Sequence, residues 1–96
     1  MSFGLLSNRK VVATAGTAER LSATTLQAAM AIIQAETDNT GLVAIGGSNV
    51  DVTETSQEGI QLYAGEIMPP LYDIDLNNVW VDSVENGDGV VFSYES

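Results

Sequence analysis

The chain of 96 residues contains no cysteine and no histidine. Without cysteine it can form no disulfide, no thiolate metal site and no cysteine nucleophile. Without histidine it lacks the usual base at neutral pH and the commonest nitrogen ligand of zinc and copper. Serine and threonine are plentiful, but no histidine or nearby lysine is available to activate them. We therefore expect a protein that is not an enzyme, with no catalytic residue, no cofactor and no metal site.

Positive charge is also scarce, since Arg9, Lys10 and Arg20 are the only cations and the formal net charge is -10. No cation follows residue 20, whereas twelve of the thirteen acids do. A body of this charge repels phosphate backbones and anionic membrane surfaces. The composition predicts neither a nucleic acid nor a membrane among the partners.

Long hydrophobic runs are missing as well. No segment approaches the roughly 18 apolar residues that cross a membrane, and residues 1–10 have no apolar core of signal-peptide length. We expect a soluble protein that is made and used without Sec export.

The chain instead consists of short apolar runs divided by turn signals, which is the pattern of an all-β domain. Strand candidates include residues 10–15, 42–45 and 90–94. Residues 85–89 (ENGDG) are the clearest hairpin connection in the chain. The spacing predicts a small antiparallel β-sandwich, jelly-roll-like, or a barrel, with seven to eight short strands.

In two segments the residue pattern bears on the type of secondary structure or on which side chains share a face. Residues 24–36 fit a helix with a capping box, but they also fit a strand that is apolar on both faces, and we favour a strand over residues 29–35. In residues 71–76, alternation places Tyr72, Ile74 and Leu76 on one face of a strand and Asp73 and Asp75 on the other.

The chain is predicted to have an N-terminal arm at residues 1–9 and a single β-sandwich domain at residues 10–96. Residues 1–20 contain all three cations and one acid, so their formal charge is 3 − 1 = +2. Apolar residues precede the cations and can anchor the arm to a partner, to the chain's own body or to a second copy. The candidate docking residues are Phe3, Leu5, Leu6, Arg9 and Lys10.

Two acidic groups and one aromatic group are the remaining candidates for chemistry. The pair Asp73 and Asp75, and the loop acids Asp82, Glu85 and Asp88, could bind a divalent cation, but solvated strand and turn positions explain them better. The aromatic residues near the C-terminus suit a core, a subunit interface or a sugar platform. They are Tyr72, Trp80, Phe92 and Tyr94.

A series of turn and strand motifs resembles the layout of small virion structural proteins of tailed bacteriophages, of the capsid decoration or cement type. The motifs are IQAETDNTGLVAIG at 33–46, NV at 49–50, GIQL at 59–62, AGE at 64–66, DL at 75–76, VWV at 79–81 and GDGV at 87–90. The match covers roughly residues 11–94. Its motifs are mostly residue patterns typical of β-turns, and the resemblance supplies no catalytic residue.

The resemblance implies a structural role in the virion: decorating the capsid, sealing it, or joining head, tail or fibre components. Among these roles we expect decoration and stabilisation of the outer surface of a tailed-phage capsid. The implied partner is the major capsid protein or another virion protein, and the implied assembly is a homo-oligomer, with a trimer favoured. A head–tail connector, tail or fibre component is the alternative within this class, and a carbohydrate-binding module is the alternative outside it. The protein is expected in the virion after synthesis in the host cytoplasm.

Overall fold

The computed structural model describes residues 4–96, which form eight strands and one short 3₁₀ turn. The strands are β1 (Leu6–Val11), β2 (Glu19–Arg20), β3 (Gln27–Ala35), β4 (Val43–Gly46), β5 (Ile60–Leu62), β6 (Leu71–Asp75), β7 (Trp80–Ser83) and β8 (Gly89–Glu95). The 3₁₀ turn, Leu76–Asn78, is the one helical element in this part of the chain.

The strands follow the connectivity of a jelly roll. The first half of the chain pairs with the second half in reverse order, as in one long antiparallel hairpin. The pairs are β1 with β8, β2 with β7, β3 with β6 and β4 with β5. The further pairs β3 with β8 and β4 with β7 fold this ribbon into two antiparallel sheets. Their strand orders are β1-β8-β3-β6, here called the first sheet, and β2-β7-β4-β5, the second sheet. The predicted jelly-roll-like β-sandwich is confirmed.

The hydrophobic core lies between the two sheets. Ile33 and Val90 from the first sheet and Ile45 and Val81 from the second are almost completely buried. Burying one such side chain contributes about 1.5–3 kcal/mol relative to exposure. The β-branched residues at these positions also suit the extended backbone.

The segment that fitted both a helix and a strand is the long strand β3, which pairs with β8 on one side and β6 on the other. β8 pairs with residues 30–35 and β6 with residues 27–31, and residues 66–68 bond to residues 33–35 on the side of β6. The first strand, however, lies earlier than predicted, because β1 covers Leu6–Val11 and residues 12–18 cross to the second sheet. The predicted boundary between arm and domain at residue 10 therefore falls inside β1.

The connection at residues 85–89 is not a hairpin. It joins β7 in the second sheet to β8 in the first, and these two strands are not paired with each other. The Asp88 carboxylate accepts hydrogen bonds from the backbone N–H groups of Thr40 and Gly41, and Gly87 N–H donates to Val12 O. These contacts with other loops turn the chain across the end of the sandwich, where local turn chemistry had predicted a return along the same sheet.

The predicted alternation in β6 fails at Asp73. Leu71 and Ile74 both pack against the core, whereas Tyr72 and Asp73 are both exposed. Asp73 has a left-handed backbone with a φ of 49°. Aspartate tolerates this conformation better than most residues, and the turn in the backbone returns Ile74 to the core side. Tyr72 therefore does not share a face with Ile74 and Leu76.

Candidate functional site

The two sheets differ in what covers their outer faces. On the second sheet, Val50 and Val52 from the loop between β4 and β5 pack against Ala44, Ala18 and Trp80. This loop is closed by a short bridge between Asp51 and Glu58. The chain thus buries the outer face of its second sheet under its own loop.

The outer face of the first sheet has no such cover among the described residues, and much of it is apolar. Strand register identifies its side chains, because directly paired residues share a face. We call this surface the open face. Its members are Leu5, Ser7, Arg9, Val11, Met30, Ile32, Gln34, Ile67, Tyr72, Val91, Ser93 and Glu95.

The apolar side chains of the open face are well exposed. Ile67 keeps 60% of its surface in contact with solvent, Tyr72 keeps 70% and Leu5 keeps 57%. A shallow groove passes between Ile32, Ile67 and Val91 in the middle of the face. Apolar surface of this kind, on a protein with a net charge of -10, is typical of a contact with another macromolecule.

The candidate docking residues near the N-terminus lie on and beside this face. Leu5 and Leu6 are exposed, Arg9 and Lys10 lie in β1, and Phe3 is outside the described residues. Arg9 forms an ion pair with Glu36, and Lys10 Nζ lies 2.8 Å from Glu19 Oε1. Both cations therefore bind acids of their own chain.

These ion pairs shift the pKa values of Glu19 and Arg9. The hydrogen bond from Lys10 holds the pKa of the Glu19 carboxyl below its ordinary value, with help from the backbone N–H of Ala13. The Glu36 carboxylate raises the pKa of the Arg9 guanidinium. The Arg9 side chain nevertheless remains 59% exposed, so its remaining N–H donors can reach a second acceptor.

The candidate aromatic residues do not gather at one place. Phe92 and Tyr94 stack in the core with ring centroids 6.1 Å apart, and Tyr72 lies on the open face. Trp80 lies on the outer face of the second sheet, where the Arg20 guanidinium covers its ring at 4.5 Å. A single sugar platform built from all four residues is therefore not formed.

The candidate acids mostly hold loops together. Asp82 is buried and accepts from Gly16 N–H at 2.9 Å, and Asp88 accepts from Gly41 N–H at the same distance. Asp75 accepts from the backbone N–H groups of Leu26 and Asn77, and these two bonds hold its pKa below the ordinary value. Within residues 4–96, no three acids approach closely enough to form a metal-binding group.

A depression of about 730 Å³ lies at the loop end of the sandwich where β7 ends. Its lining includes Thr53, Glu54, Tyr63, Ser83 and Val84. Glu54 is the one carboxylate among its lining residues, so the depression offers no pair of carboxylates.

The chain matches no protein-family model, no curated protein and no solved structure. In the part of the chain that the structure describes, no helix is long and apolar enough to span a membrane.

Sequence reasoning did not single out Ile32, Ile67 and Val91 as surface residues. One signal pointed toward them, since β3 is apolar on both faces. In a sheet of which one side packs on the core, a second apolar side indicates a surface that another element or another molecule covers.

Proposed function

We propose that this chain is a non-enzymatic structural protein of a virus particle that decorates and stabilises the outer surface of a tailed-phage capsid. The observation that supports this most is a jelly roll whose second sheet is covered by its own loop while its first sheet keeps an apolar outer face. Jelly rolls recur in viral capsid domains as well as in lectin domains and cupins, so the fold supports this role by analogy. The resemblance of its turn and strand motifs to small virion proteins favours a virion protein over the other jelly-roll classes.

The distribution of polar side chains supports the same role. Glu19, Asp75, Asp82 and Asp88 are engaged in hydrogen bonds that fix the loops between strands. These bonds suit a rigid building block whose contacts with neighbours depend on a fixed shape. Leu6, exposed beside the first sheet and outside the open face, provides apolar surface for attachment to the shell.

The proposal is tested with capsids of the phage whose genome encodes the chain, prepared without this protein. Purified protein should co-sediment with these capsids in a saturable manner, and cryo-electron microscopy should reveal copies arrayed over the whole shell. Replacement of Leu6 by serine should weaken binding, whereas Val84→Ser, at another exposed apolar residue outside the open face, should not.

The position of the copies distinguishes the alternatives. Copies confined to one vertex or to the tail would replace the decoration role by a connector or tail role. Absence of the protein from the particle would refute both. A carbohydrate-binding role has less support, because Arg20 covers the Trp80 ring, and a glycan array with a Trp80→Ala control would detect it.

A further inference from the structure

We propose that the open face binds the open face of a second copy of this chain, forming a symmetric dimer with the two first sheets packed against each other. The inference goes beyond the proposed function and does not rest on it, since it is measured on the purified chain alone. It follows from the pattern of charge and apolar surface that the strand register creates.

Three rows of paired residues cross the middle of the open face. The central row joins Ser7, Ser93 and Ile32, and its two serine hydroxyls are 2.9 Å apart. On one side lies a row of Glu95, Met30 and Tyr72. On the other side lies a row of Arg9, Val91, Gln34 and Ile67.

The charges of the face lie in its two outer rows, and the acids Glu36 and Asp38 flank the row that contains Arg9. Glu95 belongs to one outer row and Arg9 to the other, while the central row has no charged side chain. The Glu36 carboxylate that pairs with Arg9 is buried at the margin. A contact centred on the uncharged row therefore places no acid of the three rows directly over another acid, although the protein has a net charge of -10.

A two-fold axis along the central row makes the face complementary to itself. The rotation exchanges the outer rows, so that Tyr72 of one copy lies over Ile67 of the second copy. It also places Glu95 of one copy over Val91 of the second copy, next to that copy's Arg9. Aligned packing of two sheets about 10 Å apart brings these side chains into contact.

The edges of the first sheet are less suited to self-association than its face. The edge strand β1 contains Arg9 and Lys10, and the edge strand β6 follows Pro69 and Pro70. Cations and prolines at a sheet edge discourage pairing with another strand. The apolar surface of the first sheet is then best covered by face-to-face contact.

Sedimentation equilibrium of the full chain over a wide concentration range tests the inference. We expect a monomer–dimer equilibrium and, for Val91→Glu, a dissociation constant at least about tenfold higher. The matched control is Val84→Glu, which adds the same charge at an exposed valine outside the open face and should leave the constant unchanged. Circular dichroism of both variants checks that they fold.

A double-mutant cycle tests the orientation. Arg9→Gln and Glu95→Gln should each weaken the dimer, and the double variant should be little weaker than either single variant, because the two groups contact each other across the interface. Effects that simply add would overturn the proposed axis.

Three other outcomes would overturn the inference. They are a monomer at all concentrations, a trimer such as the resemblance to virion proteins implies, and a dimer weakened by Val84→Glu but not by Val91→Glu. A chain that binds capsids but stays monomeric would refute the dimer alone, and a dimer that binds no capsid would refute the proposed function alone.

Discussion

At the scale of single residues, the acids of this chain have separate tasks that composition does not distinguish. Asp88 is buried between loops and accepts three hydrogen bonds at one oxygen, from the N–H and hydroxyl of Thr40 and the N–H of Gly41. Glu54, by contrast, is exposed on the loop between β4 and β5. The thirteen acids therefore do more than maintain solubility.

Replacement of Asp88 by alanine tests this view. The change leaves the N–H groups of Thr40 and Gly41 without their acceptor, and hydrogen bonds to a charged group contribute about 1.5–3 kcal/mol each. We expect the free energy of unfolding in urea to fall by about 2–3 kcal/mol, less than the sum of the separate bonds, because bonds to one carboxylate are not additive and water replaces part of the lost acceptor. Glu54→Ala is the control and should change it by less than about 0.5 kcal/mol. Equal effects of the two substitutions would contradict the assigned role of Asp88.

At the scale of elements, the association of β1 with β8 depends on one glycine. A Cβ atom placed on Gly89 would lie 2.1 Å from the carbonyl oxygen of Lys10 and 2.8 Å from the Cα of Val11. The obstructing atoms are backbone, so no side-chain rotation relieves the overlap. Residues 6–9 form part of this ladder, and removal of residues 1–9 is therefore expected to destabilise the sandwich by uncovering the edge of β8.

Gly89→Ala should consequently loosen the end of β1. We expect a loss of about 1–3 kcal/mol in the free energy of unfolding, the range found when a packed site is overfilled. Hydrogen exchange should become faster at the β1 amides that pair with β8. Gly4→Ala is the matched control, because no heavy atom lies within 4 Å of the added carbon. Unchanged exchange in β1 would show that the close approach is unimportant.

At the scale of the whole molecule, carboxylates from three distant segments stabilise the fold by staying ionised. Hydrogen bonds lower the pKa of Glu19, on β2, and of Asp75, at the end of β6. In the loop between β4 and β5, the backbone N–H of Thr53 and the hydroxyls of Thr53 and Ser56 lower the pKa of Asp51. Each group therefore binds a proton less readily in the folded state than in the unfolded state.

The fold should accordingly lose stability in acid. Because these pKa values are lowered by folding, the stabilisation is complete above the unfolded values near pH 4 and is lost as the pH falls through the folded values. Urea unfolding measured between pH 7 and pH 2 should reveal this decline. In Asp75→Asn the decline should be shallower, while Glu54→Gln should follow the unmodified protein. An unchanged slope in Asp75→Asn would contradict the assignment.

Much of the architecture could be predicted from the sequence because the relevant physics is local. Alternating short apolar runs and turn residues determined that the chain is all-β, and the count of runs gave seven to eight strands. Absence of cysteine and histidine excluded disulfides, thiolate ligands and imidazole groups from the 96 residues before any fold was known. Apolar residues occupy both faces of β3, and this pattern indicated that its outer face is apolar.

Contacts between segments far apart in the chain were decided only by the tertiary structure. The connection at residues 85–89 had the chemistry of a hairpin, yet Asp88 and Gly87 bond to other loops and direct it between sheets. Alternation placed Tyr72 with Ile74, and only the left-handed backbone of Asp73 separated them. Ile32, Ile67 and Val91 form one surface because pairing of β3 with β8 and with Ile67 joins them, and register between strands is set by packing rather than by local sequence.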